Sequence, residues 1–243
     1  MIFKDLLGEL DQSMYSKYTS VRQGINPVDR DFLSWNNNSQ IFVVAQYGFF
    51  SKIITKFLLD AYLVTVNAGW KAVSEELVQN ISEELDIVEG DECHSESALP
   101  HYVLLRQGIQ EALGIDIAEA SPGAATRRFI NDTLEAVNDL RAPYVSGCVF
   151  ALENSATPEL QMVSGWVETV HERAKVAVSR KVQHFFHSHI SEIEILHQER
   201  LKTACANYVK TQEQGALFKE GFERVMAIMD CWWEGLAQEA LAS

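Results

Sequence analysis

Cysteine and proline are scarce in this chain, and each scarcity excludes a class of protein. The 243 residues contain four cysteines and five prolines. The cysteines are scattered without a Cys-x-x-Cys pair, which argues against a zinc ribbon or a disulfide framework and fits a reducing cytoplasm. Because prolines are few and long segments have helical periodicity, we expect an all-α protein, a helical bundle.

Basic residues are also in short supply. Twenty lysines and arginines stand against 34 acidic residues, which gives a formal net charge of −14. Such a surface repels phosphate backbones, and no basic stripe with interleaved aromatics is present, so no nucleic-acid partner is expected. The N-terminus lacks a basic region followed by an apolar stretch, so we expect no signal peptide and a cytoplasmic protein.

The most apolar stretch, residues 41–66, is interrupted by polar side chains. Gln46, Lys52, Lys56 and Asp60 make it a poor membrane span and favour a central core helix. Beside Gln46, the aromatic residues 47, 49 and 50 either line a substrate pocket or pack in the core.

Familiar catalytic motifs are absent. The sequence has no Gly-x-Ser-x-Gly elbow, no P-loop and no dinucleotide-binding glycine motif. The segment HERAK at 171–175 lacks the second histidine of a zinc protease. Low-complexity linkers and fixed repeats are missing too, so we predict one domain over residues 1–243.

Hydrophobic periodicity predicts helices separated by short breaks. In the first half of the chain they are expected at about 3–20, from an N-cap at Asn38 or Ser39 to Thr65, at 70–88 and from Pro100 to Leu113. In the second half they are expected from SPGAATR to about 154, with a kink or division at Pro143, from Pro158 to about 170, through the histidine-rich segment and at 215–241. Whether the helix from Pro158 ends near 170 or continues into the histidine-rich helix is left open. A polar loop is expected at 89–97.

The last of these helices carries an apolar stripe that predicts core packing. The stripe consists of Phe218, Phe222, Val225, Met226, Met229 and Trp233. Trp232 and Trp233 hint at a dimer surface, although one of the two is expected in the core.

Single polar residues interrupt otherwise apolar helix stripes. Glu84 lies three residues after Ile81 on the inward stripe of its helix, whereas Glu83 points about 100° away. This helix alone does not decide whether Glu84 is an inward-pointing ligand or a glutamate that pairs with a basic side chain. His101 lies on an apolar face, where a hydrogen-bonded core histidine is the usual role. Glu153 has no Lys or Arg within one turn, which favours a functional role.

The histidine-rich segment, KVQHFFHSHISEIEILHQERL, is the strongest signal. Glu194 and His197 are three residues apart and therefore share a helix face, the arrangement used in di-iron bundles. Together with the interrupting residues they supply carboxylates and imidazoles from several helices. Such sets suit iron or manganese, whereas structural zinc prefers thiolates.

Four motifs carry a resemblance to a known family. They are NISEEL (80–85), PHYVLLRQGI (100–109), YVSGCVFALE (144–153) with the proline that follows it, and FFHSHISEIEILH (185–197). In this order they resemble the heme-oxygenase-like di-metal oxidases, within them the CADD-like proteins, and more distantly the TenA and PqqC type.

The resemblance implies a ligand set, cofactors and a function. It implies two iron ions, or iron and manganese, O₂ as co-substrate, no heme and a small organic substrate. Apart from the resemblance, we expect a homodimer and no membrane partner. Glu153 is expected to bridge the two metals. The implied ligands are Glu84, His101, Glu153, His189, Glu194 and His197.

The last motif departs from the family pattern, His-x-x-x-Asp-x-x-His, by one additional residue after His189. A π-bulge would absorb that residue. In an unbroken α-helix, Ile190 would take the histidine position, and His187 or Glu192 would substitute as a ligand. Two other functions stay open: a metal-independent, TenA-like protein that binds or hydrolyses a small molecule, and a CADD-like protein-interaction module.

Overall fold

The computed structural model of the protein describes residues 3–87, 99–114, 116–118, 121–175, 177–178 and 180–242. Over these residues the chain forms helices and their connections and no β-strand, so the expected all-α fold is confirmed. The polar loop predicted at 89–97 lies outside the described residues.

The helices follow one another with short connections. In chain order they are α1 (Phe3–Lys17), α2 (Pro27–Asp31), a 3₁₀ turn (Phe32–Ser34), α3 (Asn37–Asn67), α4 (Lys71–Glu84), α5 (His101–Leu113), α6 (Ala124–Val137), α7 (Ala142–Ala174), α8 (Arg180–Ser188), a π-helical turn (His189–Ile193), α9 (Glu194–Cys205) and α10 (Gln212–Leu241).

The last helix, α10, lies at the centre of the bundle. It packs against α7 and also against α6 and α3. All six residues of its predicted stripe are buried, which confirms their core role. Trp232 is buried as well as Trp233, and it stacks on Phe129 with ring centroids 4.4 Å apart. The suggestion that these tryptophans form a dimer surface was therefore wrong, because α3 and α6 cover the second side of α10.

Two glycines bring the main chains of α7 and α10 into direct contact. A Cβ atom on Gly147 would overlap the carbonyl oxygen of Phe218, and one on Gly221 would overlap that of Tyr144. No other residue fits at these two positions without moving a helix. The contact fixes α7 within two turns of Glu153, so it also positions the candidate site.

Two prolines have different effects in the second half of the chain. Pro143 lies in the first turn of α7, after a break that separates α7 from α6, as predicted. Pro158 lies inside α7, so the predicted helix start there was wrong. Glu159 and Leu160, which follow it, are buried, and this packing outweighs the one backbone hydrogen bond that the proline removes. α7 ends at Ala174 and does not continue into the histidine-rich helix, since its C-cap residue Lys175 has a φ of 55°.

Other helix boundaries also differ from the prediction. The helix predicted over 70–88 ends at Glu84, and Asp86 just beyond it has a φ of 54°. The first helix ends at Lys17 rather than near residue 20. The N-cap of α3 is Asn36, whose side chain accepts the backbone N–H of Ser39. Asn38 and Ser39 lie within the first turn instead. In a run of three asparagines, composition alone does not show which one caps the helix.

The apolar helix α3 is long and apolar enough to cross a membrane by length and composition, but 50% of its most apolar window is buried in the fold. Its polar interruptions have partners inside the bundle. Gln46 accepts the N–H of Gly123 at 2.7 Å, and Asp60 pairs with Lys56 at 2.9 Å and accepts from Asn138 at 2.8 Å. These contacts are those of a core helix, as expected from the sequence.

The glycine contact between α7 and α10 leads to a stability prediction. Gly147→Ala or Gly221→Ala should lower the free energy of unfolding by about 3 kcal/mol, because the new methyl group overlaps a main-chain carbonyl that cannot move aside. Urea unfolding followed by circular dichroism measures this change.

Gly165→Ala is the matched control in the same helix. A Cβ at Gly165 meets nothing within 4 Å. Removing backbone freedom there should raise the free energy of unfolding by about 1 kcal/mol. Equal effects at Gly147 and Gly165 would contradict the close approach of the two helices.

Candidate metal centre

Side chains from several helices meet at one small cavity in the bundle. Glu84 ends α4, His101 begins α5, and Glu153 lies in α7. The cavity has a volume of about 60 Å³. It is lined by five of the six residues proposed from the sequence, namely Glu84, His101, Glu153, His189 and Glu194. The sixth, His197, contacts Glu153 at 3.4 Å. The structure thus brings the whole predicted set together.

The histidine-rich helix contains a π-turn where the sequence has its additional residue. The N–H of Glu194 donates to the carbonyl of His189, five residues back. In a regular α-helix, side chains five residues apart diverge by about 140°, since each residue adds about 100°. The wider turn places His189, Glu194 and His197 on the buried side together. The prediction that a π-bulge absorbs the extra residue is confirmed.

Glu153, Glu194 and His197 form the tightest group of candidate ligands. One ligand atom from each lies within 4.8 Å of the others, and all three residues are buried. Burial, and then the Glu153 carboxylate, raises the pKa of Glu194 well above its ordinary value. Burial alone would lower the pKa of His197, but hydrogen bonds to Glu153 and Glu83 raise it to about 11. The proton on Glu194 and the positive charge of His197 thus compensate the negative charge of the two adjacent carboxyl groups. A bound divalent cation would compensate the same charge.

His189 has the tautomer that metal binding requires. Its Nδ1 lies 2.7 Å from the carbonyl oxygen of Phe185, which can only accept a hydrogen bond, so Nδ1 carries the proton. The buried Nε2 atom has no hydrogen-bond partner. Burial, and then the neighbouring His101, lowers the pKa of His189 to about 4, which keeps the ring neutral. A neutral imidazole held by a carbonyl through its other nitrogen is the usual form of a metal ligand.

Glu84 and His101 form a second pair on the other side of His189. Glu84 Oε1 lies 3.3 Å from His101 Nδ1, and the rings of His101 and His189 meet edge to face with centroids 4.3 Å apart. Burial would raise the pKa of Glu84, but the imidazoles of His101, His189 and His197 together outweigh this effect and lower it. Glu84 therefore faces the cavity as a carboxylate, and its partner is a histidine rather than a lysine or arginine.

The rest of the cavity wall is mainly apolar, and no described lysine or arginine lines it. Tyr47 and Phe50 belong to this wall, as one reading of the aromatic stretch proposed, whereas Phe49 does not. The remaining wall residues are Ser51, Ile54, Leu58, Leu105, Leu152, Ala156, Leu160 and Phe185.

The substitutes considered for the histidine-rich helix lie elsewhere. The side chains of His187 and Glu192 are exposed, so neither replaces His189 or Glu194. Leu196 is also exposed, by 50%, so not every apolar residue of this helix faces the core. The side chain of His184 lies outside the described residues.

Sequence reasoning missed the residues that support the candidate ligands. Asn80 donates from Nδ2 to Glu153 Oε1 at 3.1 Å. Glu83 accepts a hydrogen bond from His197 Nε2 at 2.6 Å. Glu83 does point away from the apolar stripe of α4, as predicted, but α9 packs on that side. The two adjacent glutamates of the motif NISEEL could have indicated this role. A helix that packs between two neighbouring helices can direct one glutamate toward each of them.

A further carboxyl, Glu159, is fully buried behind the cavity wall. Its Oε1 accepts a hydrogen bond from Trp233 Nε1 at 3.3 Å, and its Oε2 has no hydrogen-bond partner. Burial raises the pKa of Glu159 to about 8, so the group is largely protonated at neutral pH. It was missed because Pro158 was expected to begin a helix rather than to lie inside one.

Comparison with known proteins places the chain in a family. The sequence profile of a domain of unknown function with a solved structure, DUF3865, matches residues 4–239. This chain belongs to the DUF3865 family. No curated protein matches it.

Solved structures show what this DUF3865 protein is similar to. Two crystal structures of a CADD-like protein of unknown function from Nostoc punctiforme PCC 73102 match with TM-scores of 0.88 and 0.86 at 31% and 30% identity. The first match covers 98% of both chains, and the second covers 99% of this chain and 96% of the other.

A TenA homolog from Pseudomonas syringae pv. tomato str. DC3000 matches with a TM-score of 0.66 at 10% identity, over 97% of this chain and 92% of the other. At that identity the likeness shows the fold alone. The two Nostoc punctiforme matches confirm the CADD-like family that the sequence motifs indicated, and the TenA homolog shares its all-helical fold.

The π-turn leads to a prediction about deletions in this DUF3865 protein. Deleting the exposed Ser191 should leave a stable, cooperatively unfolding bundle. The deletion gives His189, Glu194 and His197 the spacing i, i+4 and i+7, which a regular α-helix presents on one face. Thermal unfolding followed by circular dichroism measures the outcome.

A deletion of the exposed Glu199 is the matched control in the same helix. No π-turn is available to absorb it, so Leu201 and Ala204 rotate away from the core by about 100°. We expect a loss of several kcal/mol, as for other disrupted cores. If the Ser191 deletion is as destabilising as the Glu199 deletion, the π-turn is not the adjustable part of the helix.

Glu159 leads to a prediction about pH. Its pKa is raised from 4.5 to about 8 by folding, so its contribution to stability is fully present below pH 4.5 and is lost as the pH rises toward 8. Glu159→Gln should remove this loss, and its stability relative to wild type should increase on the order of 4 kcal/mol between pH 4.5 and 8. Urea unfolding across this range, with chelator present, measures it.

Glu168→Gln, an exposed change in the same helix, is the control. It should follow wild type at every pH. Parallel curves for Glu159→Gln and wild type would show that Glu159 does not take up a proton on folding.

Proposed function

We propose that this protein is a non-heme di-iron, or mixed iron–manganese, oxidase or oxygenase that uses O₂ to transform a small organic molecule. The observation that carries the proposal is the convergence of carboxylates and imidazoles from α4, α5, α7 and the histidine-rich helix on one cavity. Iron and manganese take such oxygen and nitrogen donors. The three described cysteines, which zinc would prefer, are free and do not line the cavity.

The arrangement of the six residues supports two ions rather than one. Glu153, Glu194 and His197 form one compact set. Glu84, His101 and His189 form a second set, joined by their own short contacts. Glu153 lines the same cavity as Glu84 and also contacts His197, which supports the role of a carboxylate bridging both positions.

The protein's own residues prepare this site for cations. Two bound metal ions would supply the electrons and open coordination positions that O₂ activation needs. A cation bound at Glu194 would replace the proton that this side chain carries, and His189 offers a free lone pair at Nε2. The apolar wall keeps water away from the reacting groups.

The cavity wall also supports a substrate class. Aromatic and aliphatic side chains surround the candidate ligands, and no described lysine or arginine lines this wall. A small and largely apolar molecule fits such a wall best. The proposal includes a cytoplasmic homodimer with no membrane partner. It also includes no nucleic-acid partner, which the acidic net charge of −14 supports.

Iron content tests the proposal. Protein loaded with Fe²⁺ in air and freed of excess iron should retain close to two irons per chain. Glu153→Ala or His197→Ala should lose most of this iron, because each removes a ligand and leaves the others unbalanced. Elemental analysis of the purified variants measures the content.

His187→Ala is the matched control, since this exposed histidine lies on the same helix. It should keep the wild-type iron content. Wild-type protein with fewer than about one iron per chain, or iron unaffected by Glu153→Ala, contradicts the proposal. Turnover of a small molecule without iron or O₂ uptake would instead favour the metal-independent, TenA-like function. Partner capture that is insensitive to both ligand variants would favour an interaction module.

A further inference from the structure

Glu83 makes the shortest contact of any described group with a candidate ligand side chain. Its Oε2 lies 2.6 Å from Nε2 of His197. A carboxylate only accepts, so Nε2 carries the proton and donates it. The other ring nitrogen, Nδ1, faces Glu153 Oε2 at 3.4 Å. The two nitrogens of His197 thus have separate tasks, one toward α4 and one toward the cavity.

Glu83 is itself held in place from two directions. Arg200, which follows His197 by three residues on α9, donates to Glu83 Oε1 at 2.9 Å. Gln79, one turn earlier on α4, donates to the same oxygen at 2.9 Å. Both oxygens of Glu83 are therefore engaged, and α9 binds the carboxylate through two of its own side chains.

The pattern does not resemble a surface ion pair made for stability. The side chains of Glu83 and Arg200 are 30% and 33% exposed, where an ion pair contributes little. His197, by contrast, is only 2% exposed. Of these three residues only His197, the candidate ligand, is buried. The contacts with Glu83 and Arg200 therefore restrict the orientation of His197.

We propose that Glu83 is a positioning residue of the metal centre, which holds the His197 ring so that Nδ1 points at the metal position beside Glu153 and Glu194. This inference rests on the proposed function, because it requires a metal at that position. Metal-binding histidines commonly donate their second nitrogen to a carboxylate, which fixes the ring and increases its basicity as a ligand. Arg200 and Gln79 extend this support by fixing the carboxylate.

Equilibrium titration with Co²⁺ tests the proposal. Co²⁺ is stable in air, and its visible absorption reports the ligand set separately from the affinity. Wild type, Glu83→Ala and Glu83→Gln are titrated with Co²⁺ against a competing chelator. We expect Glu83→Ala to weaken binding by about 10–100-fold with an unchanged Co²⁺ spectrum. Glu83→Gln keeps an acceptor for Nε2–H and should fall between this variant and wild type.

Glu75→Ala is the matched control. Glu75 is an exposed glutamate on the same helix, paired with Lys71 at 3.3 Å. It should bind Co²⁺ as wild type does. Arg200→Met leaves the bond between Glu83 and His197 in place, and it should weaken binding less than Glu83→Ala does. This variant also keeps the test informative if Glu83→Ala fails to fold.

The outcomes separate the positioning role from the metal site itself. Wild-type protein that binds no Co²⁺ contradicts the proposed metal centre and the positioning role with it. Wild-type binding with equal affinities for the Glu83, Arg200 and Glu75 variants overturns the positioning role alone. A changed spectrum and a loss as large as that of His197→Ala also overturn it, because Glu83 would then be a ligand.

Discussion

Two carboxylates buried side by side are the constraint on which the rest of this structure depends. Taking such charges out of water costs several kcal/mol per ion unless other groups compensate them. For Glu153 and Glu194 the compensation comes from Asn80 on α4, from His197 on α9 and from a proton or cation between them. Each compensating group reaches the carboxylates only if its helix is correctly positioned. The packing of the bundle and the chemistry of the site therefore depend on each other.

The sequence predicted those parts of the structure that depend on spacing along one helix. The all-α architecture followed from apolar periodicity. Glu153 stood out because no basic residue lies near it in sequence, and the structure indeed places it in the cavity. Glu194 and His197 share a face because three residues nearly complete one helical turn. The additional residue after His189 located the π-turn.

The remainder depends on which helices become neighbours, and spacing within one helix does not contain that information. Pro158 lies inside α7 because surrounding residues are buried by other helices. Glu159 is buried for the same reason, although a residue after a proline is usually found near a helix start. Glu83 points away from the apolar stripe of its own helix, and only the packing of α9 shows that this direction leads to His197.

The glycine contact between α7 and α10 allows the surrounding core residues to vary in evolution without displacing the candidate site. At Gly147 and Gly221 the two helices meet main chain to main chain, so their separation is set by atoms that every amino acid shares. Substitutions of surrounding core side chains change the volume and shape of the core but do not move this contact between the two main chains. The register of Glu153 along α7 is anchored there, and the apolar core can therefore change residue by residue while the candidate ligands keep their mutual placement.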